Sequence, residues 1–456
     1  MNPANIATLF ESHADAMVDD LKDWLRIPSV SSDSSRTADV DRAANWLLEK
    51  FQSSGLTCEK ISTQGHPIVL AETPPVENAP VVMVYGHYDV QPEPPLELWD
   101  SPPFEPEIRD GNIYARGATD DKGQLLTHIQ SVTRLLAAGE QLPIQVKFLI
   151  EGEEEVGSQQ LEQYLPSLRD RCACDCIVVS DSSQYADGQP AITYGLRGIC
   201  TYEMVVSGPD RDLHSGSFGG SVMNPGIALS KILAAMVDAE GRIQIPGFYD
   251  DVVAMKDVER QSFAALPGDD ASFADSLGVQ QLHGEAGYTS LERRWARPTF
   301  DVNGITCGHQ GEGVKTIVPA KASAKFSFRI VAIQDPEKIT AGIQAFLDVN
   351  TPPGVTVQLL PDHGAGAMLA NVESPFVAAA KQAIQHAFGV APVMIREGGS
   401  IPILGDMQRE LDADCLLLGW GLDDDNLHSP NEKFRLADYQ RGTVASANLW
   451  YAIGNA

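Results

Sequence analysis

The first 200 residues alternate between two periodicities. Val81 to Tyr85 (V-V-M-V-Y) is a short unbroken apolar run that predicts a buried strand, and Gln145 to Ile150 predicts another. Gln124 to Ala138 repeats its apolar positions at helical spacing, as does Ser158 to Arg169, and Ile177 to Ser180 predicts a third strand. Strand and helix in alternation predict an α/β layer with a mostly parallel central sheet. Ahead of it, Ile6, Leu9, Phe10, His13, Met17, Leu21 and Leu25 recur on one helical face. They predict one amphipathic helix ending before Pro28.

The pattern changes near residue 199. Thr201 to Val206 predicts a strand, and Asn224 to Asp238 a helix with Asn224 as its cap and Pro225 in its first turn. Residues from roughly 240 to 298 are irregular and rich in Gly, Pro and aromatics. Strands over 300–306 and 323–331, a helix from Asp335 to Val349 and a strand over 355–360 follow. Without the irregular segment the order is β-α-β-β-α-β, that of a ferredoxin-like α+β domain. Helix and strand patterns resume from Ser374. The expected organisation is therefore one α/β domain (1–198 and 367–456) interrupted by an α+β domain (199–366).

Charge and cysteine content narrow the partners. The 456 residues carry 62 acidic and 33 basic side chains, a formal net charge of −29. Such a surface repels nucleic acid and anionic membranes and is compatible with cations. No apolar run reaches the ~20 residues of a membrane span. The N-terminus shows neither the basic nor the apolar region of a secretory signal. Seven cysteines, an odd number, then read as reduced thiols in the cytoplasm. Cys172, Cys174 and Cys176 lack the C-x-x-C spacing of structural zinc sites and read as ordinary buried or edge thiols.

Acidic and imidazole residues gather where the strands end. In Y85-G-H-Y-D-V90, His87 and Asp89 share one side of an extended chain. In R116-G-A-T-D-D-K-G123, Asp120 and Asp121 open a helix, where capping alone would account for them. E151-G-E-E-E-V-G-S158 crowds four glutamates after a core strand, although burying one without a partner costs several kcal/mol or forces protonation. V178-V-S-D181 closes a strand with an aspartate, and N426-L-H-S-P-N-E-K433 adds His428. Each stretch alone has a bland reading as a turn or a cap. Together they place two histidines and several carboxylates beyond the carboxyl ends of one sheet, where ligands gather. That donor set suits two divalent ions, most simply zinc. Asp423 to Asp425 read as a solvated loop.

These stretches resemble a known family. G86-H-Y-D-V-Q-P-E93, W99-D-S-P-P-F104, R116-G-A-T-D-D-K-G123, Y194-G-L-R-G198, D212-L-H-S-G216, R396-E-G-G-S-I-P402 and H428-S-P-N-E-K433 are similar to motifs of the zinc metallopeptidases that include aminoacylase, carboxypeptidase G and succinyl-diaminopimelate desuccinylase. The resemblance is strongest to the cytosolic nonspecific dipeptidase and carnosine dipeptidase branch and runs from about residue 15 to 450. It implies a zinc-peptidase-like catalytic domain interrupted by a lid and dimerisation domain. It also implies two metal ions per chain, zinc or else manganese or cobalt. His87 and Asp181 would hold one ion and Glu155 and His428 the other. Asp120 would bridge both, with a cis peptide to Asp121. Asp89 would orient His87, and Glu154 would be the general base, activating a water shared by the metals.

The same resemblance makes His214 the oxyanion donor. Arg329, Thr316 and Ser400 become the residues that hold a substrate's terminal carboxylate. It further implies a homodimer in which His214 and Thr316 act across subunits. Glu151 and Glu153 have no assigned role, and where this chain has Glu153 and Val156 the branch usually has Met and Ser. The implied activity is hydrolysis of dipeptides with a free C-terminal carboxylate. The alternatives are an N-acyl amino acid deacylase or deacetylase and a non-catalytic peptide-binding relative. Ser400 in G398-G-S-I-P402 is a near miss to the serine-hydrolase G-x-S-x-G, with Pro402 where the second glycine belongs.

Overall fold

The computed structural model describes residues 1–399 and 401–455. The chain divides into two compact units. One comprises Met1–Tyr194, Ala370–Ile395 and the stretch from Ile401 on; the other comprises Gly195–Leu369 and a short segment beginning at Arg396. Among the described residues no helix is long and apolar enough to cross a membrane.

The first unit is built on a mixed sheet. Its parallel centre consists of Gln145–Glu151, Val81–His87, Cys176–Val179 and Asp414–Gly419, side by side in that order. Antiparallel strands flank it, with Ile68–Glu72 and then Thr57–Ile61 on one side and Ala191–Leu196 on the other. Parallel strands are covered on both faces, so they read as continuous apolar runs rather than alternating ones. Cys176–Val179 is buried at every position and Val81–His87 at all but its first. The helices Lys122–Ala137, Pro375–Phe388 and Leu436–Gly454 supply much of the packing, with Leu125, Leu126, Ile129, Ala380, Ile384, Leu449 and Trp450 in one core.

The N-terminal segment departs from the single helix its periodicity predicts. It forms two, Pro3–Glu11 and Ala14–Leu25. The break lies at Ser12 and His13, whose Oγ and Nδ1 both bond to the Leu9 carbonyl at 2.7 and 2.8 Å. Side chains that offer the backbone a local alternative end a helix in this way. The apolar face survives the break, since Ile6, Phe10, Met17, Leu21 and Leu25 remain buried.

The second unit is a four-stranded antiparallel sheet in the order Thr299–Cys307, Lys321–Ile330, Gly198–Ser207, Thr356–Ala365. With the helices Pro225–Ala235 and Pro336–Asn350 it completes the β-α-β-β-α-β order. Gly198–Ser207 alternates strictly between buried and half-buried residues, the mark of a sheet with one covered face. Cys200, Tyr202, Met204, Phe326 and Phe328 point to the helices and form a separate core. The first helix starts on its predicted signals, and the second starts in the same way. The Asn224 and Asp335 side chains accept amide hydrogen bonds from the first turn, and Pro225 and Pro336 open the helices. The segment read as irregular contains three short helices, Asp257–Ala264, Asp270–Ser276 and Ser290–Ala296, held partly by arginines over aromatic rings such as Arg294 on Phe273 and Arg297 on Tyr288.

Candidate metal centre

Parallel pairing brings the acidic stretches to one end of the sheet. His87 lies opposite Glu151 and Tyr85 opposite Val179, so the strands carrying His87, the glutamate run and Asp181 all finish at the same level. The helix after Asp120 and Asp121 packs on the first of these strands at Gly86. A Cβ there would lie 2.6 Å from Asp121 Oδ2 and 2.9 Å from Leu125 Cδ1, so a larger residue would force those side chains to shift. His87 N donates to that same oxygen at 3.3 Å. Neither aspartate caps its helix: the cap position, Asp121, makes no side-chain capping bond, and the Asp120–Asp121 peptide is cis.

Two ligand groups result. His87, Asp120 and Asp181 form one, and Asp120, Glu155 and His428 the other, each with its ligand atoms within 4.8 Å of one another. Asp120 belongs to both. Its Oδ1 is 3.2 Å from His87 Nε2, and its Oδ2 is 2.9 Å from His428 Nε2. Asp181 Oδ2 is 3.9 Å from His87 Nε2, and Glu155 Oε2 is 3.5 Å from His428 Nε2. His87 is fully buried, whereas the His428 side chain is 57% exposed on its loop.

The cluster is electrostatically overloaded. Burial, then the charge of Asp120, pushes Asp181 up to about 6 and Glu155 up to about 9. Burial, then Asp89, raises Glu151 to about 8, and burial holds Glu154 and Asp121 well above the usual carboxylate range. Asp120 alone is held low: its burial is outweighed by the hydrogen bond with His428 and the nearby His87 imidazole. Burial opposes charging of His87, but Asp120 and Asp89 raise it well above an ordinary histidine. Two buried atoms on residues of the ligand groups, His87 Nε2 and Glu155 Oε1, have no hydrogen-bond partner. A divalent cation in each group would satisfy these atoms and offset the excess negative charge. Imidazole and carboxylate donors suit such ions.

Asp89 has more partners than the sequence suggests. Its carboxylate is 3.3 Å from His87 Nδ1, which also hydrogen-bonds to the Asp89 carbonyl at 3.1 Å. The same carboxylate accepts the amides of Glu154 and Glu155 at 3.3 and 3.2 Å. It thus fixes both the imidazole and the backbone that presents the two glutamates. Gln91 Nε2 donates to Glu155 Oε2 at 2.7 Å, a contact hidden in the H-Y-D-V-Q stretch. Glu153 and Glu151 are used as well. Glu153 accepts the His66 and Gln160 amides at 2.8 and 3.3 Å, and Glu151 accepts the Tyr85 hydroxyl at 2.8 Å. Asp425 overturns the solvated-loop reading. It is fully buried, 2.8 Å from Lys433 Nζ, and accepts the Leu422 amide. The thiols Cys172, Cys174 and Cys176 are free, and burial pushes the first two up to about 11 and about 12. None belongs to a ligand group among the described residues.

His214, Thr316 and Arg329 lie in the second unit. His214 is exposed, pairs with Ile317 and accepts the Gly216 amide on Nδ1 at 3.0 Å. Thr316 is beside it, its carbonyl accepting the Ser215 amide. Arg329 sits farther along the sheet, opposite Thr299 and Ile199. Arg197 reaches Thr299 Oγ1 at 3.4 Å, and burial with the neighbouring charges of Arg329 and Arg294 pulls it down to about 10. Ser400 lies outside the described residues.

Comparison with known proteins agrees with this geometry. The profile of Peptidase family M20/M25/M40 matches residues 83–452. The chain belongs to this family. It is 34% identical to the Cys-Gly metallodipeptidase DUG1 of Candida albicans over 96% of this chain and 95% of that one. It is 31% identical to the human Beta-Ala-His dipeptidase over 97% of this chain and 91% of that one. Among solved structures, the M20 family metallo-carboxypeptidase Sso-CP2 from Sulfolobus solfataricus superposes with a TM-score of 0.84 at 32% identity, covering 96% of this chain and 99% of the other. The M20 chain is accordingly a metallopeptidase, and its family implies divalent metal.

The overloaded cluster generates an expectation that does not depend on turnover. Saturating divalent metal should stabilise the metal-free M20 chain by about 3 kcal/mol at a hundredfold excess over Kd, by mass action. Thermal unfolding with and without Zn²⁺ or Mn²⁺ measures it. An unchanged Tm at saturating metal would show that the cluster binds no cation.

Proposed function

We propose that this chain is a two-metal dipeptidase acting on peptides with a free C-terminal carboxylate. The observation that carries the reading is the sharing of Asp120 between two ligand groups, with Glu154 in the same buried acidic cluster. The names of the relatives, a Cys-Gly and a Beta-Ala-His dipeptidase, support a dipeptide substrate. His87, Asp120 and Asp181 would hold one ion and Asp120, Glu155 and His428 the other, with zinc the simplest choice and manganese or cobalt compatible. Ions in these positions would supply polarisation of the scissile carbonyl and acidification of water. Glu154 takes the proton from the attacking water and delivers it to the departing amine. Its raised pKa reflects burial first and then the surrounding carboxylates, and cations held by the two ligand groups would offset them and lower it. Asp89 keeps His87 and the Glu154–Glu155 backbone in place.

Substrate recognition falls to the second unit. Arg329, Thr316 and Ser400 hold the terminal carboxylate, for which a guanidinium fork is well matched. The Arg197, Arg294 and Arg329 cluster supports an anion there. The partner subunit's His214 donates to the developing oxyanion in a homodimer, so that the donor is added only on closure over substrate.

Three outcomes test the reading. Glu154→Gln should retain metal yet lose about 10²–10⁴-fold in kcat, whereas Glu155→Gln should lose metal. Exchanged effects would place the base one residue away. In a panel of dipeptides, tripeptides and N-acyl amino acids with zinc, manganese or cobalt, dipeptides should turn over fastest. Preference for N-acyl amino acids would reassign the chain as a deacylase, and no turnover with any metal would make it a binding protein. Finally, mixing inactive Glu154→Gln chains with inactive His214→Ala chains should restore activity, because one site in each mixed dimer regains both residues. Mixed dimers that stay inactive would place His214 in its own chain's site or outside the reaction.

A further inference from the structure

The loop carrying His428 and the loop carrying Asp120 are joined by one buried carboxylate, Glu432. It is fully buried. Its Oε1 accepts the amides of Thr119 and Asp120 at 3.0 and 3.1 Å. Its Oε2 accepts the Gly117 amide at 3.0 Å and Arg116 Nη1 at 2.7 Å. A carboxylate has about four lone-pair positions, and here all are taken by the one loop from Arg116 to Asp120. Successive amides turned towards an anion form a nest, and the nest requires the left-handed backbone of Gly117 (φ +83°). A Cβ on Gly117 would also lie 2.7 Å from Val90 Cγ1. The R-G-A-T-D sequence is therefore shaped around Glu432 before Asp120 meets any ligand.

The contacts around this carboxylate share the work differently. The Ala115 amide donates to the Glu432 carbonyl at 3.1 Å, and Thr119 Oγ1 bonds the Lys433 carbonyl at 2.7 Å. Asn431 holds a different loop, accepting the Asp100 amide at 2.9 Å and donating to the Leu98 carbonyl at 3.0 Å. Among these residues only Glu432 bonds the backbone amide of Asp120 itself. That bond sets the dihedral angle from which the Asp120 carboxylate projects towards His87 and His428. The negative charge of Glu432 is offset locally by Arg116, which is 1% exposed, so Glu432 adds positioning without adding a free charge to the cluster.

We propose that Glu432 is the positioning residue that presents Asp120 to both ligand groups, coupling the order of the 116–120 loop to metal affinity and to kcat. The proposal rests on the two-metal reading above. The test compares Glu432→Gln with wild type by three measurements. Hydrogen exchange of peptides spanning 116–121 is read on metal-free protein, Zn²⁺ dissociation constants are read by chelator competition, and kcat and KM are read at saturating metal. The Glu432→Gln substitution turns a side-chain N–H group against backbone N–H donors. Exchange in 116–121 should accelerate, Zn²⁺ should bind about 10–100-fold more weakly, as when groups behind metal ligands are removed, and kcat should fall with KM nearly unchanged. Asn431→Gly, which keeps the left-handed backbone and deletes only the contacts to 98–100, should leave Zn²⁺ affinity within a few-fold.

Faster exchange in Glu432→Gln with wild-type affinity and kcat would reduce Glu432 to a structural clamp and overturn the proposal. Equal loss of affinity in Asn431→Gly would do the same, since the effect would then belong to the loop as a whole. Removing one partner of a buried ion pair can prevent folding. The double variant Arg116→Gln/Glu432→Gln leaves no unpaired charge and is held to the same outcomes, and Glu432→Asp should fall between wild type and Glu432→Gln. Wild-type protein that takes up no Zn²⁺ would overturn the two-metal reading itself, a result visible before any variant is compared.

Discussion

Asp120 receives an imidazole on each of its oxygens, His87 on one side and His428 on the other, and its own amide is held from behind by Glu432. The requirement to hold one carboxylate at the meeting point of two ligand groups explains much of the first unit. Three parallel strands finish at one level so that His87, the glutamate run and Asp181 can face it. Gly86 is bare so that the following helix can approach. The loops at 86–91, 116–121 and 425–433 are tied together by side-chain to backbone bonds, because their backbone amides and carbonyls would otherwise be buried without partners.

The same constraint accounts for the crowding of negative charge. Carboxylates withdrawn from water favour protonation, and Glu151, Glu154, Glu155 and Asp181 are all pushed upward here. A protein gains nothing in stability from such an arrangement without cations, so the cluster is better understood as a binding site than as a structural network. Several acidic residues outside the ligand groups hold backbone as well. Asp89 gathers the Glu154 and Glu155 amides, Glu153 those of His66 and Gln160, and Asp425 that of Leu422.

Much of this is legible in the chain because local signals agree with the fold. The apolar runs Val81 to Tyr85 and Ile177 to Ser180 read as buried strands, the Asn224-Pro225 pair marks a helix start, and the structure has both. What stays illegible depends on partners far apart in sequence. Glu432 and Asp120 are 312 positions apart, and nothing near either predicts their bond. Asp425 reads as one of three exposed aspartates until Lys433 and Thr119 fold against it. Glu153 looks like surplus charge because its donors lie on the 63–66 loop and the next helix. The break at Ser12–His13 is hidden for the opposite reason, since side-chain bonds to Leu9 interrupt the helix without disturbing its apolar face. In the flanking strands the parallel reading gives way to antiparallel pairing, which apolar runs alone do not distinguish.

The proposed sharing of Asp120 by two metal ions underlies both the site and the chemistry. Crystals of the zinc-loaded protein, measured above and below the zinc absorption edge, test it most directly. Two anomalous peaks are expected in each chain, one among His87, Asp120 and Asp181 and the other among Asp120, Glu155 and His428, with an Asp120 oxygen in contact with each. A single peak at full zinc occupancy, or two peaks that Asp120 does not join, would contradict it.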